Sequence, residues 1–170
     1  MSGWADEIVA TQGHGNVVVH DRKRLIASEA LFSGKGQCAQ CHYRNSRLAP
    51  PLHGVSAKGR DYILESIVNP NAVISSEYQS SKIVTTSGES IIGRVLSLSE
   101  TELEIAINAP QVGVVISHFN RDDIAEDGKG ALLIKRIPQS PMPGNYQSLL
   151  SESEISDVVY LLEILKYSPY

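Results

Sequence analysis

The pentapeptide Cys38-Ala39-Gln40-Cys41-His42 constrains this chain more than any other feature, and it contains the only two cysteines among the 170 residues. Two thiols separated by two residues and followed directly by a histidine form the C-x-x-C-H pattern of covalent haem c attachment. Thiols at this spacing can reach the two vinyl groups on one edge of a porphyrin, and the adjacent imidazole can then ligate the iron. The motif therefore predicts one haem c, attached through Cys38 and Cys41, with His42 as an axial ligand.

Three other uses of two closely spaced cysteines fit the sequence less well. A thioredoxin-like motif needs a strand before the first cysteine and a helix starting at it, whereas a helix-like segment precedes Cys38 and a loop follows at 43–51. A structural zinc site needs four ligands, and only His53 lies near enough in sequence to supply another. A disulfide across two intervening residues would constrain almost no chain.

The second axial ligand is expected to be Met142. The chain has two methionines, of which Met1 is terminal, and Met142 lies between Pro141 and Pro143 just before the last predicted helix. The two prolines limit the conformational entropy that this loop loses when its side chain is held in place. A thioether ligand raises the reduction potential of a haem iron.

Other second ligands remain open from the sequence alone. His14, His20 or His118 could ligate the iron only if the N-terminal arm or the strand-rich middle of the chain folds over the haem. His53 follows the motif too closely to reach the far face easily. The remaining alternative is an open or water-bound sixth position.

Helical patterns are found towards both ends of the chain. Residues 1–20 show no clear periodicity and are expected to form an extended or weakly ordered arm, while apolar spacing predicts helices at 21–35 and 61–68. A last helix is expected after Ser151, which forms a capping box with Glu154.

The middle of the chain changes to a period of two with many β-branched residues, which is typical of strands. Tight turns separate the apolar runs, so we expect a small antiparallel β meander or barrel, inserted at 78–137 into a helical domain formed by 21–77 and 138–170. Without the insert, His42 and Met142 would be as far apart in sequence as the ligands of a compact single-haem protein. The five expected strands are 82–86, 90–98, 101–107, 112–116 and 132–137.

Composition excludes two classes of partner. The net charge is -4 with no run of Lys or Arg, which does not indicate a nucleic-acid surface. No apolar stretch approaches the roughly 20 residues that span a membrane.

The first residues lack a signal-peptide pattern, although haem c is attached outside the bacterial cytoplasm. We therefore expect a periplasmic or otherwise extracytoplasmic protein whose leader has been removed, or a module of a longer protein.

Together these motifs resemble class I c-type cytochromes over roughly 22–70 and 138–167. More narrowly, the chain looks like the planctomycete and verrucomicrobial haem-binding domains, which share the stretch at 67–74 and a strand-rich insert before the methionine. The resemblance implies a mainly α cytochrome c fold, with three or more helices around the haem and an inserted small antiparallel β meander or barrel. The matching segments are 38–42, 49–54, 62–67 and 140–143.

The resemblance also implies roles for three further residues. Pro50 would accept a hydrogen bond from His42 Nδ1 through its carbonyl, although Ala49 stands where the family usually has glycine. Arg60 and Tyr62 would be the candidates to contact a haem propionate.

The function that the resemblance implies is non-enzymatic electron transfer with a dehydrogenase, an oxidase or another cytochrome as redox partner. Two alternatives stay open. One is a peroxidase-like enzyme or sensor with an open sixth position. The other is a haem domain of a larger dehydrogenase, in which the β insert serves for docking or homodimerisation.

Overall fold

The structure, a computed structural model, describes residues 21–109 and 112–165, so the predicted arm at 1–20 lies outside the described residues. The described chain contains α-helices on either side of a run of strands. The helices are α1 (Arg22–Ser33), α2 (Arg60–Val68), α3 (Tyr146–Leu149) and α4 (Glu152–Ile164). The strands are β1 (Ser81–Val84), β2 (Ser90–Leu98), β3 (Glu102–Ala109), β4 (Gly113–Asn120) and β5 (Ile134–Arg136).

Side chains cap the starts of two helices, and the sequence predicted the cap at Ser151. The Asp21 carboxylate accepts hydrogen bonds from the backbone N–H groups of Lys23 and Arg24 and so begins α1. At the start of α4, Ser151 Oγ accepts from the N–H of Glu154, whose carboxylate accepts from the N–H of Ser151. Each such cap contributes about 1 kcal/mol by satisfying backbone donors that a helix start leaves unpaired.

The helices share one hydrophobic core centred on α4, in which Val159 and Leu161 are fully buried. Helix α1 contributes Leu25 and Phe32, and α2 contributes Ile63 to the same cluster. In the described part of the chain, no helix combines the length and the apolar character needed to cross a bilayer.

The strands form one antiparallel sheet in the order β4-β3-β2-β1-β5. Strands β1 to β4 are a meander, and β5 returns to pair with β1. Ile83, Leu103 and Ile105 of the strands form a second, separate cluster with Ile124, which follows β4. The sheet therefore has an apolar cluster that is distinct from that of the helices.

The expectation of a mainly α cytochrome c fold is wrong. The sheet holds nearly as many residues as the α-helices, and only three described helices have seven or more residues. The described chain is an α+β structure for two physical reasons. The β-branched middle forms a complete sheet, while 3₁₀ turns such as Cys38–Gln40 and Val55–Lys58 replace regular helix around the C-x-x-C-H motif. All five strands nevertheless lie where the period-two pattern predicted them, within 78–137.

Candidate cofactor site

The C-x-x-C-H motif lies on a tight turn directly after α1. Cys38 begins a 3₁₀ turn, and the carbonyl of Cys38 accepts hydrogen bonds from the N–H groups of both Cys41 (3.2 Å) and His42 (2.9 Å). Gly36 permits this tight exit from α1, since a Cβ there would lie 2.9 Å from the Leu31 carbonyl oxygen and 3.2 Å from Cys38 Sγ. The motif residues are thus gathered on a single turn.

Both thiols are free, partly buried and adjacent to one cavity. Burial raises the pKa of Cys38 to about 12, and burial also raises the pKa of Cys41. A reactive redox dithiol needs a lowered thiol pKa, usually at a helix N-terminus. Here a helix precedes Cys38 and the thiol pKa moves the other way, which argues against the thioredoxin-like alternative.

His42 is held in one tautomer by its neighbour. Its Nδ1 lies 2.9 Å from the Pro50 carbonyl oxygen, and because a carbonyl can only accept, Nδ1 must carry the hydrogen. Burial lowers the pKa of His42, and the bond to Pro50 offsets only part of that effect. The neutral ring therefore has its free lone pair on Nε2. Metal-ligating histidines commonly have this arrangement, in which Nε2 binds the metal and Nδ1–H donates to a carbonyl. This contact is the one that the resemblance implies.

The cavity beside this turn brings the predicted attachment and ligand residues together. Its volume is about 380 Å³, within the range of about 300 to 1,000 Å³ that is usual for cofactor and ligand sites. Its wall is mostly apolar, and the helical core supplies Phe32, Ile63, Val158 and Leu162. The predicted site residues on the wall are Cys38, Cys41, His42, Pro50, Tyr62 and Met142.

The loop that carries Met142 is tied to the segment after α2. The Met142 N–H donates to Ser140 Oγ at 3.1 Å, and the Ser140 N–H donates to Asn71 Oδ1 at 2.8 Å. The Met142 side chain is half-buried and packs against the helical core. Sequence reasoning missed the role of Asn71, although this residue lies in the 67–74 stretch that carries the resemblance.

Of the two propionate candidates, only Tyr62 lies at the cavity. Tyr62 is 42% exposed, with Lys58 Nζ 5.9 Å from its ring centroid. Arg60 instead donates to Glu163 Oε2 and to Ser156 Oγ, both at 2.9 Å, and it does not line the cavity. Its guanidinium therefore joins α2 to α4.

The alternative histidine ligands are distributed differently. His53 lines the cavity. His118 lies on β4 away from the cavity, with its Nδ1 3.0 Å from Glu102 Oε1. His14 and His20 lie outside the described residues.

The sheet contacts the loop that follows the motif, which the sequence did not predict. Arg47 forms a two-pronged ion pair with Glu104 of β3, and Arg94 of β2 donates to the Arg47 carbonyl oxygen at 2.6 Å. Arg94 also donates to the Glu77 carbonyl and stacks 4.3 Å from the ring centroid of Tyr78. The hydrogen bond from Arg47 lowers the pKa of Glu104, so the pair is charged at neutral pH.

Within residues 21–109 and 112–165, no three His, Cys, Asp or Glu side chains form a group that could hold a metal ion. The zinc alternative thus gains no support from the described chain. No model of a known protein family matches this chain, and no curated protein matches it. The resemblance to class I cytochromes therefore depends on the sequence motifs alone.

Proposed function

We propose that this chain is a monohaem c-type cytochrome that carries single electrons between redox protein partners. The observation that supports this most is the meeting of Cys38, Cys41, His42 and Met142 at one mostly apolar cavity. A soft thioether, a neutral imidazole and two thiols on one turn are the donor set that a covalently attached haem uses.

The residues fit such a group chemically. Cys38 and Cys41 would hold it through thioether bonds, and His42 and Met142 would bind its iron. When bound, haem c would supply an iron centre that takes up and releases one electron.

The chain's own contribution is to hold these groups in place in advance. The Pro50 carbonyl fixes the orientation of the His42 ring, and such outer hydrogen bonds also make a ligating imidazole more basic. Ser140 and Asn71 fix the backbone at Met142. The apolar wall limits water, and the hydrophobic shell of a haem site helps to set its potential.

Localisation and partners follow from the same proposal. Covalent haem attachment implies an extracytoplasmic site, and the expected partners are a dehydrogenase, an oxidase or another cytochrome. Homodimerisation through the insert stays a prediction; β4 lies at one edge of the sheet, and edge strands can pair with another chain.

A redox titration of the purified full chain tests the proposal. We expect one reversible one-electron transition, low-spin spectra in both oxidation states, and no binding of CO to the reduced protein at neutral pH. CO is not expected to bind because Met142 would already ligate the iron. A high-spin spectrum together with rapid CO binding would contradict the carrier and favour an enzyme or sensor.

A further inference from the structure

Asn108, near the end of β3, lies between the two segments that carry the proposed ligands. Its Nδ2 donates to the Pro141 carbonyl oxygen at 3.4 Å, and its Oδ1 lies 3.9 Å from Cys41 Sγ. Pro141 directly precedes Met142, and Cys41 directly precedes His42. One half-buried side chain of the sheet thus reaches both parts of the site.

The start of β4, beside Asn108, lies against the turn of the C-x-x-C-H motif. This contact helps to position the end of the sheet that carries Asn108. Strand β4 begins at Gly113, which pairs with Ala109 of β3. Gly113 has a φ of +89°, and a Cβ there would lie 3.4 Å from the Gln40 carbonyl oxygen and 3.5 Å from Gln40 Cβ. The positive φ would strain any larger residue here, and a Cβ at these distances would be in ordinary van der Waals contact with the turn.

Strand β3, which carries Asn108, also contacts the loop that follows His42. Glu104, four residues before Asn108 on β3, forms the ion pair with Arg47. In the sequence, Arg47 lies between His42 and Pro50, and the Pro50 carbonyl orients the His42 imidazole. Strand β3 therefore contacts both the loop that follows His42 and the loop that carries Met142.

We propose that Asn108 is a positioning residue for Met142. This inference rests on the proposed function, because it requires Met142 to be an iron ligand. Asn71, in the segment after α2, accepts a hydrogen bond from Ser140, and Asn108 of β3 donates one to Pro141, so the two residues before Met142 are each held by a different element. Loss of the Asn108 bond frees one side of the loop and makes the Met142 thioether easier to displace.

The test is a titration of the oxidised holoprotein with imidazole, followed by the loss of the weak near-infrared charge-transfer band of Met-ligated ferric haem. Asn108→Asp is isosteric but cannot donate to the Pro141 carbonyl when ionised, and Asn108→Ala removes the whole amide. Both variants are expected to bind imidazole about three- to tenfold more tightly, which corresponds to the loss of one ordinary hydrogen bond.

Asn120→Ala is the matched control. Asn120 lies at the far end of β4, where its amide donates to Asp123 Oδ2 at 3.2 Å. The Asn120→Ala protein should therefore bind imidazole with the affinity of the unmodified protein. The inference is overturned if both Asn108 variants keep Met142 as ligand and bind imidazole with unchanged affinity. An unmodified chain that lacks covalent haem or the Met142 band overturns the proposed function itself, and this is read before any variant is made.

Discussion

Replacing Met142 with alanine is expected to abolish the near-infrared charge-transfer band of the oxidised protein and to open the sixth coordination position. Met142 is the only methionine besides Met1, and it lines the same cavity as His42. The reduced variant should therefore bind CO. Its potential should fall by a substantial part of the roughly 0.8 V that axial ligands span, because a soft thioether favours the ferrous state. Optical spectra and a redox titration measure both effects.

His53→Ala provides the matched control for this substitution, since His53 also lines the cavity. If Met142 is the ligand, His53→Ala should keep the near-infrared band and the potential close to those of the unmodified protein. The opposite pattern, with a low-spin spectrum that survives Met142→Ala and is lost in His53→Ala, would assign the sixth position to the histidine.

Leu161→Ala is expected to lower the free energy of unfolding by about 2 to 5 kcal/mol. Leu161 is fully buried within the helical core, and truncation there leaves a cavity that the neighbouring helices can only partly fill. It does not line the cofactor cavity, so the loss should appear in stability and leave the haem spectrum of the folded protein unchanged.

Leu149→Ala is the comparison, because it makes the same chemical change at a side chain that is 46% exposed. Denaturant unfolding of the holoproteins, followed by far-UV circular dichroism, should show a much smaller loss for Leu149→Ala. Equal losses in the two variants would mean that the packing of α4 does not stabilise the helical core as described.

The sequence predicted the elements that depend on neighbouring residues. The capping box predicted at Ser151 is such a local signal, and it is present. The alternation of β-branched residues predicted the position of each strand in the described part of the chain. The C-x-x-C-H motif and the Pro-flanked Met142 also predicted residues that the fold brings to one cavity.

What the sequence did not predict depends on contacts between distant residues. Glu104 lies 57 residues from Arg47, and nothing in the local pattern of either marks them as partners. The resemblance implied a propionate contact for Arg60, whereas its guanidinium pairs with Glu163, 103 residues away. The mainly α fold class failed for a related reason, since the strand pattern does not reveal that the sheet builds a separate core around residues such as Ile105.

The central claim is covalent haem attachment at Cys38 and Cys41, and the most direct test is the mass of the denatured chain. The full chain is produced in cells that attach haem c, then denatured, extracted with acidic acetone and measured by mass spectrometry beside the Cys38→Ala/Cys41→Ala double variant. We predict a mass increase of one haem per chain that survives extraction and is absent from the double variant. A chain at its bare polypeptide mass, or haem that the solvent removes completely, would contradict the account.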